Sequence, residues 1–174
     1  MRIADRVWER LSKEVDTVFY LPGGGASHLV DALGQSGLKA VCCLHEQGAG
    51  YAAVGYAQIH GFGVCLTTSG PGATNAMTPC LAAWTDSVAV LFISGQVMQN
   101  QLVVPGLRSR LRSLGPQEAP TIAMVKPITK LAALVRGVKS TEYWMGQALM
   151  ASKLGRKGPA WLDFPNDVQA MEIE

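Results

Sequence analysis

Apolar residues recur along the chain with two alternating periods. Ile3, Val7, Leu11 and Val15 stand at near-helical spacing with Asp5, Arg6, Glu9 and Arg10 between them, predicting an amphipathic helix over 3–14. Residues 17–21 are β-branched and aromatic and predict a short strand. Pro22-Gly23-Gly24-Gly25 ends it, and Ser27 is placed to cap a helix reaching about Gly34. Residues 39–44 form a continuous apolar run, the pattern of a parallel strand covered on both faces. A helix over 46–60 follows, then a strand over 63–68 and a helix from Gly70-Pro71 to about Trp84. The run 88–94 is the most apolar and predicts a central strand. Residues 95–120 lack periodicity and read as a long loop with one short helix, a length that is usually functional. Beyond it the pattern predicts a short helix over 118–125, a strand over 128–135, a helix over 140–154 and a last strand over 159–164. The tail from Pro165 is expected to leave the domain.

A strand-helix unit repeated about six times means a doubly wound α/β fold. The expected architecture is a mostly parallel six-stranded sheet with helices on both faces, a flavodoxin-like three-layer sandwich. Ligands in such folds bind at the carboxyl ends of the strands. Pro22-Gly23-Gly24, Glu46, Ser69-Gly70-Pro71 and Gly95-Gln96 each follow a strand, so they converge on that edge.

Composition adjusts this picture. The 174 residues suit one domain, and 48% are hydrophobic while only 16% are charged. That charge fraction is well below the usual ~25% and predicts a subunit or domain interface. A net charge of +2 with no basic run argues against nucleic acid. Cys42, Cys43, Cys65 and Cys80 include no C-x-x-C, so buried free thiols in a reducing compartment are expected, without a metal site. The charged N-terminus and the lack of a long apolar run argue against a signal peptide or membrane span and for a cytoplasmic protein.

Among the candidate chemistry, Gly23-Gly24-Gly25 lacks G-x-G-x-x-G spacing and reads first as a tight turn. Glu46 at a helix start could merely favour the helix dipole. Its place after an apolar strand, ahead of a helix of small residues, instead suits a proton-transfer carboxylate. That helix holds Gly48, Gly50 and Gly55, which cost about 1 kcal/mol each relative to alanine, so it must recover stability through close packing. The Ser-Gly-Pro-Gly helix entry offers free backbone N–H groups. Ser27 and Ser69 lack a His-Asp pairing, His45 and His60 have ordinary positions, and Arg108, Arg110 and Arg112 read as a solvated loop face or contacts to an anion.

An ordered set of motifs spans the chain: L-P-G-G-G at 21–25, H-E-Q-G-A at 45–49, T-T-S-G-P-G-A-T-N at 67–75 and D-S at 86–87. S-G-Q-V at 94–97, Q-E at 117–118, K-P-I-T-K at 126–130 and G-P-A-W-L-D-F-P-N-D-V at 158–168 complete it. The chain resembles the N-terminal, pyrimidine-binding domain of thiamine-diphosphate-dependent enzymes of the acetolactate synthase type. The resemblance implies that residues 1–174 are one such domain, with the central and diphosphate-binding domains lying outside it. It implies that Glu46 hydrogen-bonds N1′ of the cofactor's pyrimidine ring and starts the relay that removes the C2 proton. It implies that Pro22, Gly23, Gly24, Pro71 and Asn75 border that ring and that Gln117 faces a small 2-oxo acid substrate. Mg²⁺ is expected on the diphosphate-binding domain, since no G-D-G or N-N occurs here, and FAD is a further candidate cofactor. Pro116 replaces the phenylalanine that acetolactate synthases carry before Q-E, which leaves donor and acceptor open. The expected partners are a second copy of the chain, in a homodimer or higher oligomer, and the diphosphate-binding domain or subunit; this domain alone is expected to be inactive. The alternatives are one subunit of a split decarboxylase, a binding or regulatory module that keeps the fold, and a flavodoxin-like nucleotide binder.

Overall fold

The computed structural model describes residues 1–103 and 111–173. In chain order the elements are α1 (Ile3–Leu11), β1 (Thr17–Tyr20), α2 (Ser27–Gln35), β2 (Lys39–Cys42), α3 (Glu46–His60) and β3 (Gly63–Thr67). There follow α4 (Pro71–Asn75), α5 (Met77–Thr85), β4 (Val90–Gln96), α6 (Thr121–Val125) and β5 (Leu131–Leu134). The last three are α7 (Val138–Lys153), β6 (Ala160–Pro165) and α8 (Asn166–Ala170). The six strands form one parallel sheet in the order β2-β1-β3-β4-β6-β5. The doubly wound α/β architecture is therefore observed.

Each face of the sheet carries its own core. Trp8, Leu11, Leu29, Leu33, Met145 and Leu149 of α1, α2 and α7 pack on Val64, Leu66, Leu91, Ile93 and Leu162. On the other face Ala49, Ala53 and Ala57 of α3 join Cys80, Ala83 and Val125 against Cys65, Phe92 and Trp161. The alternation of β3, β4 and β6 residues between these cores is the period-2 pattern of strands buried on both sides. β4 is central, as its apolar run predicts.

Several elements depart from the periodicity. β2 is an edge strand; Lys39, Ala40 and Cys42 are exposed and Leu44 beyond it is fully so. The apolar run 39–44 is thus not a doubly covered strand. Cys42 is exposed and Cys43 half-buried, and only Cys65 and Cys80 are the buried thiols expected. The single helix over 70–84 is broken at Ala76 into α4 and α5. Pro79 is the cause: it has no N–H for the carbonyl of Asn75, and its ring clashes with that carbonyl. α6 begins only at Thr121, because the residue before Pro120 is pushed out of the helical region. β5 begins at Leu131, since Lys126–Ile128 is a turn of 3₁₀ helix around Pro127. Ser27 does not cap α2; its hydroxyl accepts from Asn166 Nδ2 at 3.0 Å.

The tail after Pro165 does not leave the domain. It forms α8, which buries Val168 and Gln169 against α1 and α2. Gln169 Nε2 donates to the carbonyls of Gly25 (2.7 Å) and Phe164 (2.8 Å), and its Oε1 accepts from Leu29 N–H (3.3 Å). One buried amide therefore ties the end of β6 to the glycine turn after β1.

A charged side chain lies inside β6. Asp163 is 1% exposed, accepting from Ser94 Oγ at 2.6 Å and from Gln96 Nε2 at 2.9 Å. Ser94 Oγ accepts in turn from Trp161 Nε1 at 2.8 Å, and Gln96 Nε2 also donates to the Ala119 carbonyl at 3.0 Å. Burial pushes the Asp163 carboxyl up to about 7, although the two hydrogen bonds to it act the other way. The folded chain consequently holds a proton that the unfolded chain releases near 3.8. This contribution to stability is complete below that value and is lost as pH rises through about 7. The slope for one proton is at most ~1.4 kcal/mol per pH unit. Urea unfolding at about pH 4.5, 6 and 7.5 should show stability falling more steeply with pH in the parent chain than in Asp163→Asn. Equal slopes would refute the buried, proton-binding carboxylate.

Candidate functional site at the carboxyl edge of the sheet

The winding order decides where a ligand can enter. After β1 the chain turns to α2 on one face, whereas after the neighbouring β3 it turns to α4 and α5 on the other. Adjacent strand ends that diverge to opposite faces open a crevice between them, the usual ligand position in open α/β sheets. Glu46, Pro22-Gly23-Gly24 and Pro71 all lie around this opening.

Glu46 is the first residue of α3 and is buried to 9% exposure. The helix start is fixed by His45, whose Nδ1 accepts from Gln47 N–H at 3.1 Å. That explains His45 as a capping residue, while His60 stacks on Tyr56 at the far end with a centroid separation of 4.2 Å. Asn75 Nδ2 donates to Glu46 Oε2 at 3.0 Å. Glu46 Oε1 accepts no hydrogen bond among the described residues. It stands beside Gly72, where an added Cβ would lie 3.3 Å from Oε1 and 2.6 Å from Thr68 Cγ2. One carboxylate oxygen is thus held and the other left available, next to a position that only glycine fills without displacement. At the end of β3, Thr67 Oγ1 is buried without a partner, on the same face of the sheet as Cys65.

The predicted site residues fall into two groups. Glu46, Asn75 and the start of α4 at Pro71 form the first, with Gly23 brought in by Thr68: a Cβ on Gly23 would meet the Thr68 side chain at 2.5 Å. Pro22 is exposed at the turn that leads into it. Gly24 and Gln117 form the second, lining a cavity of about 240 Å³ together with Ser69, Gln96, Met98 and Asn166. Glu46 is not among the residues lining that cavity. The groups meet through Gly70, where a Cβ would lie 2.0 Å from the Gln117 carbonyl oxygen. Gln117 itself has φ 60, a left-handed conformation uncommon outside glycine and often found at functional sites.

Residues that sequence reasoning did not single out complete the arrangement. Thr68 Oγ1 accepts from Gly25 N–H at 3.0 Å and supports the glycine turn from below. Asn166 Nδ2 donates to the Gly24 carbonyl at 3.2 Å from the opposite side. Asp163 had a signal available, an acid in the otherwise apolar stretch Ala160–Phe164, and Thr68 and Asn166 fall within the quoted motifs at 67–75 and 158–168. Arg108 and Arg110 lie outside the described residues, and Arg112 is exposed.

A small-residue helix behind Glu46 has an intramolecular reason in part. A Cβ on Gly50 would lie 2.3 Å from Pro79 Cγ, and Ala49, Ala53 and Ala57 are buried against β3 and α5. Gly48 and Gly55 instead open onto unfilled space, beside exposed Tyr51 and Ile59. Among the described residues no group of three or more His, Cys, Asp or Glu side chains could hold a metal ion. Nor, among them, is any helix long and apolar enough to cross a membrane.

Comparison with known proteins agrees with this geometry. The family described as thiamine pyrophosphate enzyme, N-terminal TPP binding domain, matches residues 1–115. The acetolactate synthase large subunit of Corynebacterium glutamicum is 39% identical over 161 residues, covering 91% of this chain and 24% of that protein. Acetolactate synthase isozyme 2 large subunit of Escherichia coli is 38% identical over 156 residues, covering 89% and 27%. The chloroplastic acetolactate synthase 2 of Nicotiana tabacum is 37% identical over 169 residues, covering 95% and 24%. The chain spans about a quarter of the length of these relatives. With its motifs at the strand ends of a doubly wound sheet, the chain belongs to the thiamine pyrophosphate enzymes, as their N-terminal TPP-binding domain.

Proposed function

We propose that this chain is the pyrimidine-binding part of a thiamine-diphosphate-dependent decarboxylase or carboligase acting on small 2-oxo acids, and that Glu46 is its proton-relay carboxylate. The observation that carries the reading is the Glu46 carboxyl: Oε2 fixed by Asn75, Oε1 available beside Gly72, both at the crevice between β1 and β3. When bound, thiamine diphosphate supplies the acidic C2 carbon and the electron sink that cleavage beside a 2-oxo group requires. The protein's share is orientation and one proton path. Glu46 Oε1 serves as the partner of the pyrimidine N1′ and passes a proton to or from that atom. Asn75 keeps the carboxyl from rotating away. Pro22, Gly23, Gly24 and Pro71 border the ring through backbone surfaces that carry little side-chain bulk. Gln117 faces the substrate from the adjoining cavity. Mg²⁺ and the diphosphate belong to the rest of the whole protein, so turnover is expected only in its presence. A cytoplasmic location fits such a reaction.

The surface supports a pairing between copies. Leu44, Tyr51 and Ile59 are exposed on and beside α3, with the open glycines between them, and Leu81 and Trp84 are exposed on α5. Large apolar side chains exposed on two neighbouring helices suit an interface. We expect a dimer or higher oligomer built across this face.

Glu46→Gln in the whole protein should slow hydrogen-deuterium exchange at C2 of bound thiamine diphosphate by about 10²- to 10⁴-fold, the usual contribution of one positioned acid-base group. Asn75→Ala should slow it roughly tenfold, as one hydrogen bond of ~1–2 kcal/mol is lost while the carboxyl remains. Unchanged exchange in Glu46→Gln would overturn the assignment. Sedimentation of this chain at about 100 μM should show a dimer or larger species, and Ile59→Glu should shift it to monomer. A monomer at that concentration counts against the α3 interface.

A further inference from the structure

The strand order contains a second divergence. After β4 the chain passes to α6 on the α3 side, and after the adjacent β6 it passes to α8 on the α1 side. The same topological rule that opens a crevice between β1 and β3 therefore opens one between β4 and β6. A cleft of about 540 Å³ lies there, within the range of small-molecule sites. Gln96, the last residue of β4, and Asp163, inside β6, both border it.

Its walls are apolar, with Leu102, Pro120, Ile122 and Leu134 prominent, and its charged groups are unequal in their needs. The acids are already occupied. Glu118 accepts from the backbone N–H groups of Val103 and Leu114, the latter at 2.7 Å, and Asp163 accepts from Ser94 and Gln96. The arginines are not. Arg2, Arg6 and Arg10 pair with carboxylates, and Arg156 donates to Ser87 Oγ at 2.7 Å. Arg112 and Arg136 have no side-chain partner among the described residues, and both line this cleft. Two guanidiniums without a side-chain partner among the described residues, beside an apolar cavity whose acids are held by fixed donors, form an acceptor for a negative charge attached to an apolar body.

We infer that the β4/β6 crevice is a binding site for a small organic anion with an apolar body, separate from the Glu46 crevice. The two share no residue of the Glu46, Asn75, Pro22–Gly24 set. This cleft shares Gln96 with the cavity that Gln117 lines, and the turn 115–119 lies between the two, with Gln117 lining one and Glu118 the other. The inference does not depend on the catalytic assignment of Glu46.

The test uses 8-anilinonaphthalene-1-sulfonate, which joins an aromatic body to a fixed negative charge and fluoresces when withdrawn from water. Titration into this chain should show saturable binding of one equivalent. Arg112→Glu with Arg136→Glu should weaken it at least tenfold, and both positions are exposed, so the fold is retained. Ala123→Trp, which fills the cleft from α6, should weaken it without changing charge. Arg156→Glu, at the opposite edge of the sheet, should leave it unchanged. The uncharged analogue N-phenyl-1-naphthylamine should bind at least tenfold more weakly than the sulfonate. Absence of saturable binding, binding indifferent to the arginine pair and to Ala123→Trp, or equal affinity for the neutral analogue would each overturn the site.

Discussion

The handedness of strand-to-strand crossovers is the constraint on which this structure depends. Each parallel connection is right-handed, so the face a helix occupies is set by whether the next strand is added to the left or the right of the last. The chain starts at β1, moves outward to β2, and must cross to the other face to reach β3. It repeats the manoeuvre when β5 is placed at the far edge and β6 returns between it and β4. Each reversal leaves two neighbouring strand ends with their loops drawn to opposite faces. The crevices are thus consequences of the winding order, and the sequence decorates them: an acid and glycines at one, and at the other apolar walls with arginines that have no side-chain partner among the described residues.

Crevices of this kind need their rims held close without filling them. At the rim, backbones approach to distances that exclude a Cβ: one on Gly95 would lie 2.1 Å from the Gly25 carbonyl oxygen. Gly25 is also held by Thr68 from one side and Gln169 from the other. The glycine turn after β1 therefore needs no intrinsic rigidity, because three separate strand ends immobilise it. Asp163 extends the same scaffold. Through Gln96 it links the ends of β4 and β6 to Ala119, and so to the turn carrying Gln117 and Glu118. A buried carboxyl costs stability at neutral pH that an apolar residue would not. Its placement at a crossing point of the rim explains why an acid rather than leucine occupies a strand interior.

Most of the architecture was legible in the alternation of apolar runs, because strands buried on both faces and amphipathic helices have distinct periods. The errors have physical causes that periodicity does not carry. The run 39–44 looks like a central strand because its letters are apolar whether the strand is covered on both faces or lies at the sheet edge; nothing in Val41 or Leu44 tells these apart. Pro79 was visible but hidden in an otherwise helical pattern, and its effect falls four residues upstream, at Asn75. That break has a functional consequence, since it ends α4 at the residue whose amide holds Glu46. The return of the tail as α8 depends on Gln169, a polar residue whose burial is decided wholly by carbonyls supplied by other segments.

The site shows the same division. Glu46 could be read as a candidate from its position after a strand and before small residues, and the ordered motifs named its companions. What the letters could not convey is the asymmetry of its two oxygens, one tied to Asn75 and one beside Gly72. That asymmetry leaves on Oε1 the open acceptor position that the proposed relay requires. Nor could they convey that Gly24 and Gln117 open into a different cavity from Glu46. The two groups meet along the chain at Gly23-Gly24 and across the close approach of Gly70 to the Gln117 carbonyl. In the proposed reading, a substrate approaching along Gln117 and a ring seated at Glu46 come together beside Gly23-Gly24 and Gly70. Glycine at position 70 has a steric reason: any side chain there would collide with the Gln117 carbonyl, on a backbone that is itself left-handed.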